Sequence, residues 1–185
     1  MTTSVKKQDG ERAFKTLLDR NHPAYALMNE GKTYVGRASL FGREYMSVYE
    51  PIREGNRTIG ILYIGSDIGA ILGKLETVMA AQKLFTSGAV YAVNLSSGPA
   101  RGSVFGLPGA GKLLKVDEKD DDAKTWLASL AAIEQAGNLE SKWSPRRSAE
   151  GDRATRFVAI ERYKPWSWAI VAEAPLTEMM GEARY

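Results

Sequence analysis

Alternating apolar and polar positions define a strand–turn–strand unit that occurs twice along the chain. The first copy runs from residues 43–52 through a polar turn into residues 58–65. The second copy runs from residues 156–162 through a short corner into residues 166–172. All four stretches are rich in β-branched and aromatic residues, which favour strands. The repeat predicts two related modules in tandem.

A short helix is predicted before the first strand unit. Asn21 is a candidate cap, Pro23 fits a first helical turn and Gly31 fits the stop, which together predict a helix over residues 22–30. Three strands are then expected between residues 32 and 65.

A longer helical pattern connects the two halves. Asp67 is its predicted cap, and apolar residues recur behind it at helical spacing, so residues 67–83 should form a connecting helix. The second half has the order strand, strand, helix, strand, strand, strand, with its helix starting at the acidic run 117–122. This order predicts an antiparallel sheet with a helix on one face, so the fold class is α+β.

Composition excludes several kinds of site. The chain has no cysteine, which excludes disulfides, thiolate nucleophiles and Cys-based zinc sites. His22 is its single histidine, which excludes a metal site with two histidines and disfavours a Ser-His-Asp hydrolase. Because His22 precedes Pro23 at a helix start, a capping or pocket-wall role is favoured over a catalytic one. We therefore expect no metal and no cofactor.

Charge and hydropathy do not indicate a nucleic acid or a membrane span. The 25 Lys and Arg and 22 Asp and Glu leave a net charge of +3, and the basic residues are scattered, so no nucleic-acid partner is expected. No apolar run has the length of a membrane span, so the chain is expected to be soluble. A region that lies between two membrane spans of a longer protein would have the same pattern.

A glycine-rich segment supplies the main rival function. Residues 106–112 match a phosphate-binding loop in their glycines and lysine, but Leu113 stands where Ser or Thr should hold magnesium. No clear helix begins at Lys112 either. A strand-to-helix loop is favoured, with a nucleotide-binding enzyme as the alternative. The acidic run 117–122 lacks the glycine and glutamate of a calcium loop, so it is interpreted as a helix start.

Aromatic residues are denser in the first half than a small core requires. Core packing is the default interpretation, although several phenols beside Arg37 and Arg43 could also line a small polar pocket. The tyrosines concerned are Tyr25, Tyr34, Tyr45, Tyr49 and Tyr63. In the second half, Trp166 and Trp168 are expected on one face of a strand, packed against the helix that carries Trp126.

Several motifs resemble the extracytoplasmic PAS-like sensor domains called Cache. The first half is similar to the later part of a Cache 3-type module in residues 9–13, 22–25, 31–36, 41–45, 49–52 and 59–65. The second half is similar to a Cache 2-type module in residues 88–93, 111–114 and 166–168, in Pro108 and in Trp143. The combination resembles a Cache 3 and Cache 2 fusion.

The resemblance implies two tandem PAS-like modules with antiparallel sheets and flanking helices. Residues 1–66 would form a Cache 3-like module that lacks its opening strand, residues 67–83 the connecting helix, and residues 84–185 a Cache 2-like module. It implies no enzymatic activity. A small organic ligand, such as a carboxylate or an amino acid, is the implied partner, and a homodimer is compatible with the family.

The implied function is the periplasmic sensing region of an inner-membrane, methyl-accepting chemotaxis receptor. Ligand binding would shift the segment after Pro175 and so reach a signalling domain across the membrane. The alternatives are the sensor region of a histidine kinase or diguanylate cyclase, and a module that only transmits signals or dimerises.

Ligand-binding residues are predicted in both modules. Arginine would hold a carboxylate through paired hydrogen bonds, and aromatic rings would wall the cavity. The candidates are Tyr91, Arg101, Trp126 and Trp143 in the second module and His22, Tyr34, Arg43 and Tyr45 in the first. Three positions depart from the family pattern: Leu107 replaces a usual histidine, Ser141 a frequent tyrosine, and Ser47 the arginine of citrate and dicarboxylate sensors. The last departure argues against that ligand class.

Overall fold

The structure is a computed structural model that describes residues 3–14, 16–97, 100–107, 114–146 and 154–182. These residues form two compact units, one up to Leu72 and one from Gly73 onward. Two antiparallel sheets and four α-helices are present in the described ranges, so the predicted α+β class is confirmed. None of these helices is both long and apolar enough to span a membrane.

Unit 1 is a three-stranded sheet with one short helix. Its elements are α1 (Pro23–Asn29), β1 (Tyr34–Leu40), β2 (Arg43–Glu54) and β3 (Arg57–Asp67), and the sheet order is β1-β2-β3. The three predicted strands and the predicted helix are confirmed. The predicted Asn21 cap is wrong, whereas the capping role considered for His22 is confirmed, because Nδ1 of His22 accepts the N–H of Ala24 at 3.1 Å.

The two faces of this sheet differ in burial. On one face Ala38 and Tyr49 pack with Ala24 and Met28 of α1 to form a small core. The opposite face exposes aliphatic side chains that are adjacent across the strands. These are Val35, Val48, Leu62 and Ile64.

The connecting helix α2 (Gly69–Ala81) begins where the sequence predicts. The Asp67 carboxylate accepts the N–H of Gly69 at 2.9 Å, and Leu72 and Met79 are buried. The predicted range 67–83 is therefore correct to within two residues at each end, which is the usual uncertainty of helix ends. Because α2 carries the chain from the first unit into the second, the exact module boundaries stay a prediction.

Unit 2 has a five-stranded sheet and two helices. Its elements are β4 (Ala89–Asn94), β5 (Val104–Phe105), α3 (Asp121–Ala132), β6 (Ala136–Ser141), β7 (Arg156–Tyr163), β8 (Trp168–Pro175) and α4 (Leu176–Glu182). The sheet order is β5-β4-β8-β7-β6, and all neighbours are antiparallel. The predicted order of strands and helix is confirmed.

Helix α3 supplies the main core of unit 2. Its first turn is capped by the Asp120 carboxylate, which accepts the N–H groups of Asp122 and Ala123, so the acidic run is a helix start as expected. Leu127 and Leu130 of α3 are fully buried against the sheet. Each such side chain contributes about 1.5–3 kcal/mol through burial, which fixes α3 on this face.

The predicted packing of Trp166 and Trp168 is wrong. Trp166 lies in a 3-10 turn before β8, so the two rings are not on one strand. Ala169 is in the core under α3, and side chains alternate along a strand, so Trp168 points to the opposite face. There it packs on Phe105 and Trp166, with ring centroids 5.1 and 4.9 Å apart.

Candidate functional site: a tyrosine cluster and a buried carboxylate

Four aromatic rings form a cluster on the α1 side of unit 1. The His22 ring lies 5.3 Å from Tyr34 and 5.4 Å from Tyr49, centroid to centroid, and Tyr49 lies 4.9 Å from Tyr63. The register explains the proximity, because Tyr34 and Tyr63 both pair with Tyr49 across the sheet. The rings contact one another, so they form a packed cluster.

Two glycines make room for the phenols of this cluster. A Cβ on Gly36 would overlap the Tyr34 hydroxyl, and a Cβ on Gly65 would overlap the Tyr63 hydroxyl. Between these glycines lies Ser47, fully buried, whose Oγ is 3.2 Å from the Tyr63 hydroxyl oxygen. The Tyr34 and Tyr63 rings therefore lie along the surface of the sheet, over these glycines, instead of pointing away from it.

Burial determines the titration of this cluster. Desolvation lowers the pKa of His22, against a smaller opposing effect of Asp19. Desolvation raises the pKa values of Tyr34, Tyr49 and Tyr63. At neutral pH the cluster is therefore uncharged, and it can offer hydroxyl and imidazole hydrogen bonds but no fixed charge.

The structure places three of the four first-module candidates at this cluster. His22 and Tyr34 belong to it, and Tyr45 is close enough to Tyr63 to affect its pKa. Arg43 is apart from it: its guanidinium is mostly exposed and lies 3.7 Å from the Asp67 carboxylate.

A second polar cluster lies inside unit 2, at the end of the α3 face. Its centre is Glu173 of β8, whose side chain is fully buried. The Tyr91 hydroxyl donates to Glu173 Oε2 at 3.0 Å, and the Ser144 hydroxyl donates to Oε1. Arg156 Nη1 lies 3.7 Å from Oε1. Both carboxylate oxygens thus have partners from three other parts of the chain.

The electrostatics of Glu173 are dominated by its burial. Desolvation raises the pKa of this carboxyl, while Ser144, Arg156, Tyr91 and Arg146 each act to lower it. The same desolvation, reinforced by Glu173, raises the pKa of Tyr91 well above its ordinary value. The cluster therefore combines an acid, a guanidinium and two hydroxyls away from solvent.

Three of the four second-module candidates lie in or beside this interior. Tyr91 is in the cluster, and the Trp126 and Trp143 rings pack together with centroids 4.8 Å apart. The Trp126 Nε1–H is buried and has no hydrogen-bond partner among the described residues. Arg101 is elsewhere: it donates to the carbonyl of Leu95, beyond the far end of β4.

A family model for the Cache 3/Cache 2 fusion domain matches residues 1–184. The chain belongs to this family. No curated protein matches the chain significantly.

Solved sensor domains share the Cache fold of the chain at low sequence identity. The ligand-binding domain of Mlp24, solved with asparagine, is 15% identical with a TM-score of 0.57, and the match covers 96% of this chain and 65% of that one. The periplasmic sensory domain of the Campylobacter jejuni chemoreceptor Tlp1 is 16% identical with a TM-score of 0.53, covering 87% and 57%. The extracellular domain of mmHK1S-Z3, described as a histidine kinase, is 18% identical with a TM-score of 0.56, covering 95% and 61%.

These comparisons establish the fold of the Cache chain. The chain spans less than two thirds of the length of each of these three domains.

The glycine-rich loop of the rival function falls largely outside the described residues, because only Gly106 and Leu107 of it are described. Its flanks are described and do not contain the required helix. The Leu114 carbonyl accepts the N–H of Val104, and Lys115 forms a β-bridge with Ser103, so the chain after the loop is extended. Helix α3 begins only at Asp121. This arrangement is unlike that of a phosphate-binding loop, whose helix follows directly.

Glu173, the centre of the buried cluster, is not among the residues that the sequence predicts for the site. Glu173 is the single acidic residue in the apolar strand Trp168–Pro175, and that isolation is a usable signal. Ser144 and Arg156 lie in polar surroundings in the sequence and carry no comparable signal. Within the described residues, no group of His, Asp and Glu side chains could hold a metal ion.

Proposed function

We propose that the chain is the extracytoplasmic sensing region of a bacterial transmembrane chemoreceptor, without enzymatic activity of its own. The observation that carries the proposal is the match to the Cache 3/Cache 2 family over residues 1–184. The full protein would be anchored in the inner membrane with this region in the periplasm, and would pass ligand binding on to a signalling domain. A homodimer is compatible with this arrangement.

We place the ligand between α3 and the sheet of unit 2. Tyr91, Trp126 and Trp143 would form its walls, as the sequence predicts. Glu173 would accept an ammonium group and Arg156 would face a carboxylate, so the pair of opposite charges suits an amino acid. The buried Trp126 N–H adds a donor that has no partner among the described residues. The asparagine in the Mlp24 structure is consistent with this ligand class.

The tyrosine cluster of unit 1 is the weaker candidate site. It holds no fixed charge at neutral pH, so a charged ligand would find no counter-ion among its rings. In this proposal His22 caps α1 and Tyr34 packs in the small core beneath it, while Tyr45 stays a predicted ligand contact. Arg43 and Arg101 stay predicted ligand contacts that single Arg→Ala variants would test.

A thermal-shift screen of the twenty amino acids and small carboxylates tests the proposal. A ligand at 100 times its Kd stabilises the folded state by about 2.7 kcal/mol. For a chain of this size that corresponds to a rise in Tm of roughly 5–10 °C. Trp126→Phe, which removes the free N–H, should weaken binding measured by calorimetry. Trp166→Phe is the matched control, because that ring lies outside the α3 face.

Two results would contradict the proposal. One is a screen in which no amino acid or carboxylate changes Tm. The other is a ligand that binds Trp126→Phe and Glu173→Gln with wild-type affinity, which would place the site elsewhere. Binding of ATP with magnesium that disappears in Lys112→Ala would favour the nucleotide-binding alternative.

A further inference from the structure

A continuous set of contacts joins the helix above the proposed ligand site to the last helix of the chain. We propose that residues 143–146, here called the strap, transmit a displacement of α3 to α4, and that Glu178 is the residue through which α4 receives it. This inference rests on the proposed function, because it concerns how ligand binding leaves the domain.

The first end of the strap is held by α3. The Trp143 ring packs on Trp126 in the middle of α3, and Trp143 Nε1 donates to Asp120 Oδ2 at 3.1 Å. Asp120 is also the cap of α3. Trp143 therefore contacts both the start and the buried side of this helix, and it must respond when α3 moves.

The middle of the strap is fixed by the buried carboxylate. The Ser144 hydroxyl, 3% exposed as a residue, donates to Glu173 and at the same time accepts the Arg146 backbone N–H at 3.1 Å. Tyr91 holds the other oxygen of Glu173 from β4. The position of Ser144 thus depends on the last strand of the sheet, two residues before the chain leaves it at Pro175.

The second end of the strap reaches the segment that holds α4. Arg146 Nη1 donates to the carbonyl of Ser87. The carboxylate of Glu178 in turn accepts the N–H of Thr86 at 3.0 Å, the N–H of Ser87 at 3.1 Å and the Ser87 hydroxyl at 2.6 Å. Ser87 is therefore bonded through its carbonyl to the strap and through its N–H and hydroxyl to α4.

Helix α4 depends on these hydrogen bonds because it is short. It has seven residues, and isolated helices of this length do not form stably in water. A weak helix held by a few surface hydrogen bonds opens locally more easily than a core strand does. Loss of the strap contacts should therefore loosen Ser87 and α4 before it disrupts the sheet.

The coupling follows from the contacts in sequence. A ligand that moves Trp126 must move Trp143, because their rings are packed together. The strap then shifts relative to Glu173 and Ser87, and the Ser87–Glu178 hydrogen bonds weaken or strengthen accordingly. A ligand can bias α4 in this way only if it binds the two arrangements with different affinity.

Hydrogen exchange of the purified chain without ligand tests the strap directly. The amides of Thr86 and Ser87 are themselves donors to Glu178, so their exchange rates report that contact. Ser144→Ala touches neither Thr86 nor Glu178, yet it should speed exchange at Thr86, Ser87 and α4 about fivefold, the effect of one lost hydrogen bond. Ser129→Ala, a surface position on α3, is the matched control and should leave these rates unchanged.

Two further variants complete the test. Glu178→Gln should speed exchange at Thr86 and Ser87 by a similar factor, whereas Thr177→Ala, an exposed neighbour in α4, should not. If Ser144→Ala does not fold, Arg146→Met breaks the same connection from the half-buried end of the strap.

The inference is overturned if Ser144→Ala and Arg146→Met speed exchange only within residues 141–146 and leave Thr86, Ser87 and α4 at wild-type rates. Because no ligand is present, this result would leave the proposed sensing function intact. If the ligand screen fails but Ser144→Ala still speeds exchange at Thr86, Ser87 and α4, the proposed function is contradicted and the inference about the strap is not.

Discussion

Replacing Tyr91 with Phe removes one buried hydroxyl and keeps the ring, so it isolates the hydrogen bond to Glu173. Both residues are at most 1% exposed, and the bond is 3.0 Å long. A hydrogen bond to a charged group contributes about 1.5–3 kcal/mol, because its loss leaves a buried charge with one donor fewer. We expect Tyr91→Phe to lower the free energy of unfolding at pH 8 by about that amount.

The effect of Tyr91→Phe should depend on pH. Burial raises the pKa of Glu173 above its ordinary value of 4.5. The stability that the protonated Glu173 carboxyl contributes is therefore full below pH 4.5 and is lost as the pH rises through the folded-state pKa. Tyr91 acts to lower this pKa, so its removal raises the pKa further and enlarges the loss at high pH. At pH 4 the carboxyl is protonated, and the lost bond is a neutral one of about 0.5–1.5 kcal/mol.

Urea unfolding followed by circular dichroism at pH 4 and pH 8 measures both values. Tyr25→Phe is the matched control, since Tyr25 is half-buried in α1, and it should change the free energy of unfolding by less than about 0.5 kcal/mol. The reasoning is refuted if Tyr91→Phe stays within that limit at pH 8. It is also refuted if the loss is the same at both pH values, since the carboxylate would then not be the partner that matters.

Two further substitutions test unit 1. Gly65→Ala should lower the free energy of unfolding by about 1–3 kcal/mol, because the added Cβ overlaps the Tyr63 hydroxyl. Gly73→Ala in α2 is the control: its Cβ meets open space, and it should raise the free energy of unfolding by about 0.5–1 kcal/mol. Equal melting temperatures for the two variants would contradict this. Burial lowers the pKa of His22 below the ordinary histidine value of 6.5. The stability that neutral His22 contributes is therefore full above pH 6.5 and is lost as the pH falls through the folded-state pKa. His22→Asn keeps a capping side chain and should remove this decline from urea unfolding profiles between about pH 5 and 8; an unchanged profile would exclude His22 as its source.

The sheets could be predicted because their signals are local. Alternating burial in β2 and β3 and the turn at Gly55 specify a hairpin whatever the rest of the chain does. The same holds for β7 and β8, whose connection is short. The connecting helix could be predicted equally well, since the Asp67 cap and the apolar spacing both lie within the helix and its first turn.

The buried cluster could not be predicted because its contacts are not local. Tyr91 and Ser144 meet Glu173 across 82 and 29 residues of sequence. Tyr91 reaches Glu173 only because β8 inserts between β4 and β7, a strand order that no local pattern indicates. The cap of α1 could be narrowed to two neighbouring residues but not decided between them. Asn is the commoner capping residue, and only the geometry shows that His22 caps the helix.

Stability alone does not explain a buried carboxylate at the end of β8. A buried charge is costly unless it is paired and hydrogen-bonded, and well-packed apolar residues in place of a buried ion pair are often neutral or stabilising. Leucine at position 173 would avoid that cost in a strand that is otherwise apolar. Besides the ammonium contact proposed above, Glu173 connects its three partners. Tyr91, Ser144 and Arg156 come from the first strand, the strap and the penultimate strand of the unit, and each would change its contact if any one of these moved. A charge that needs all three partners makes the folded state sensitive to the position of each. A sensing domain requires this property where its last strand leads into its last helix.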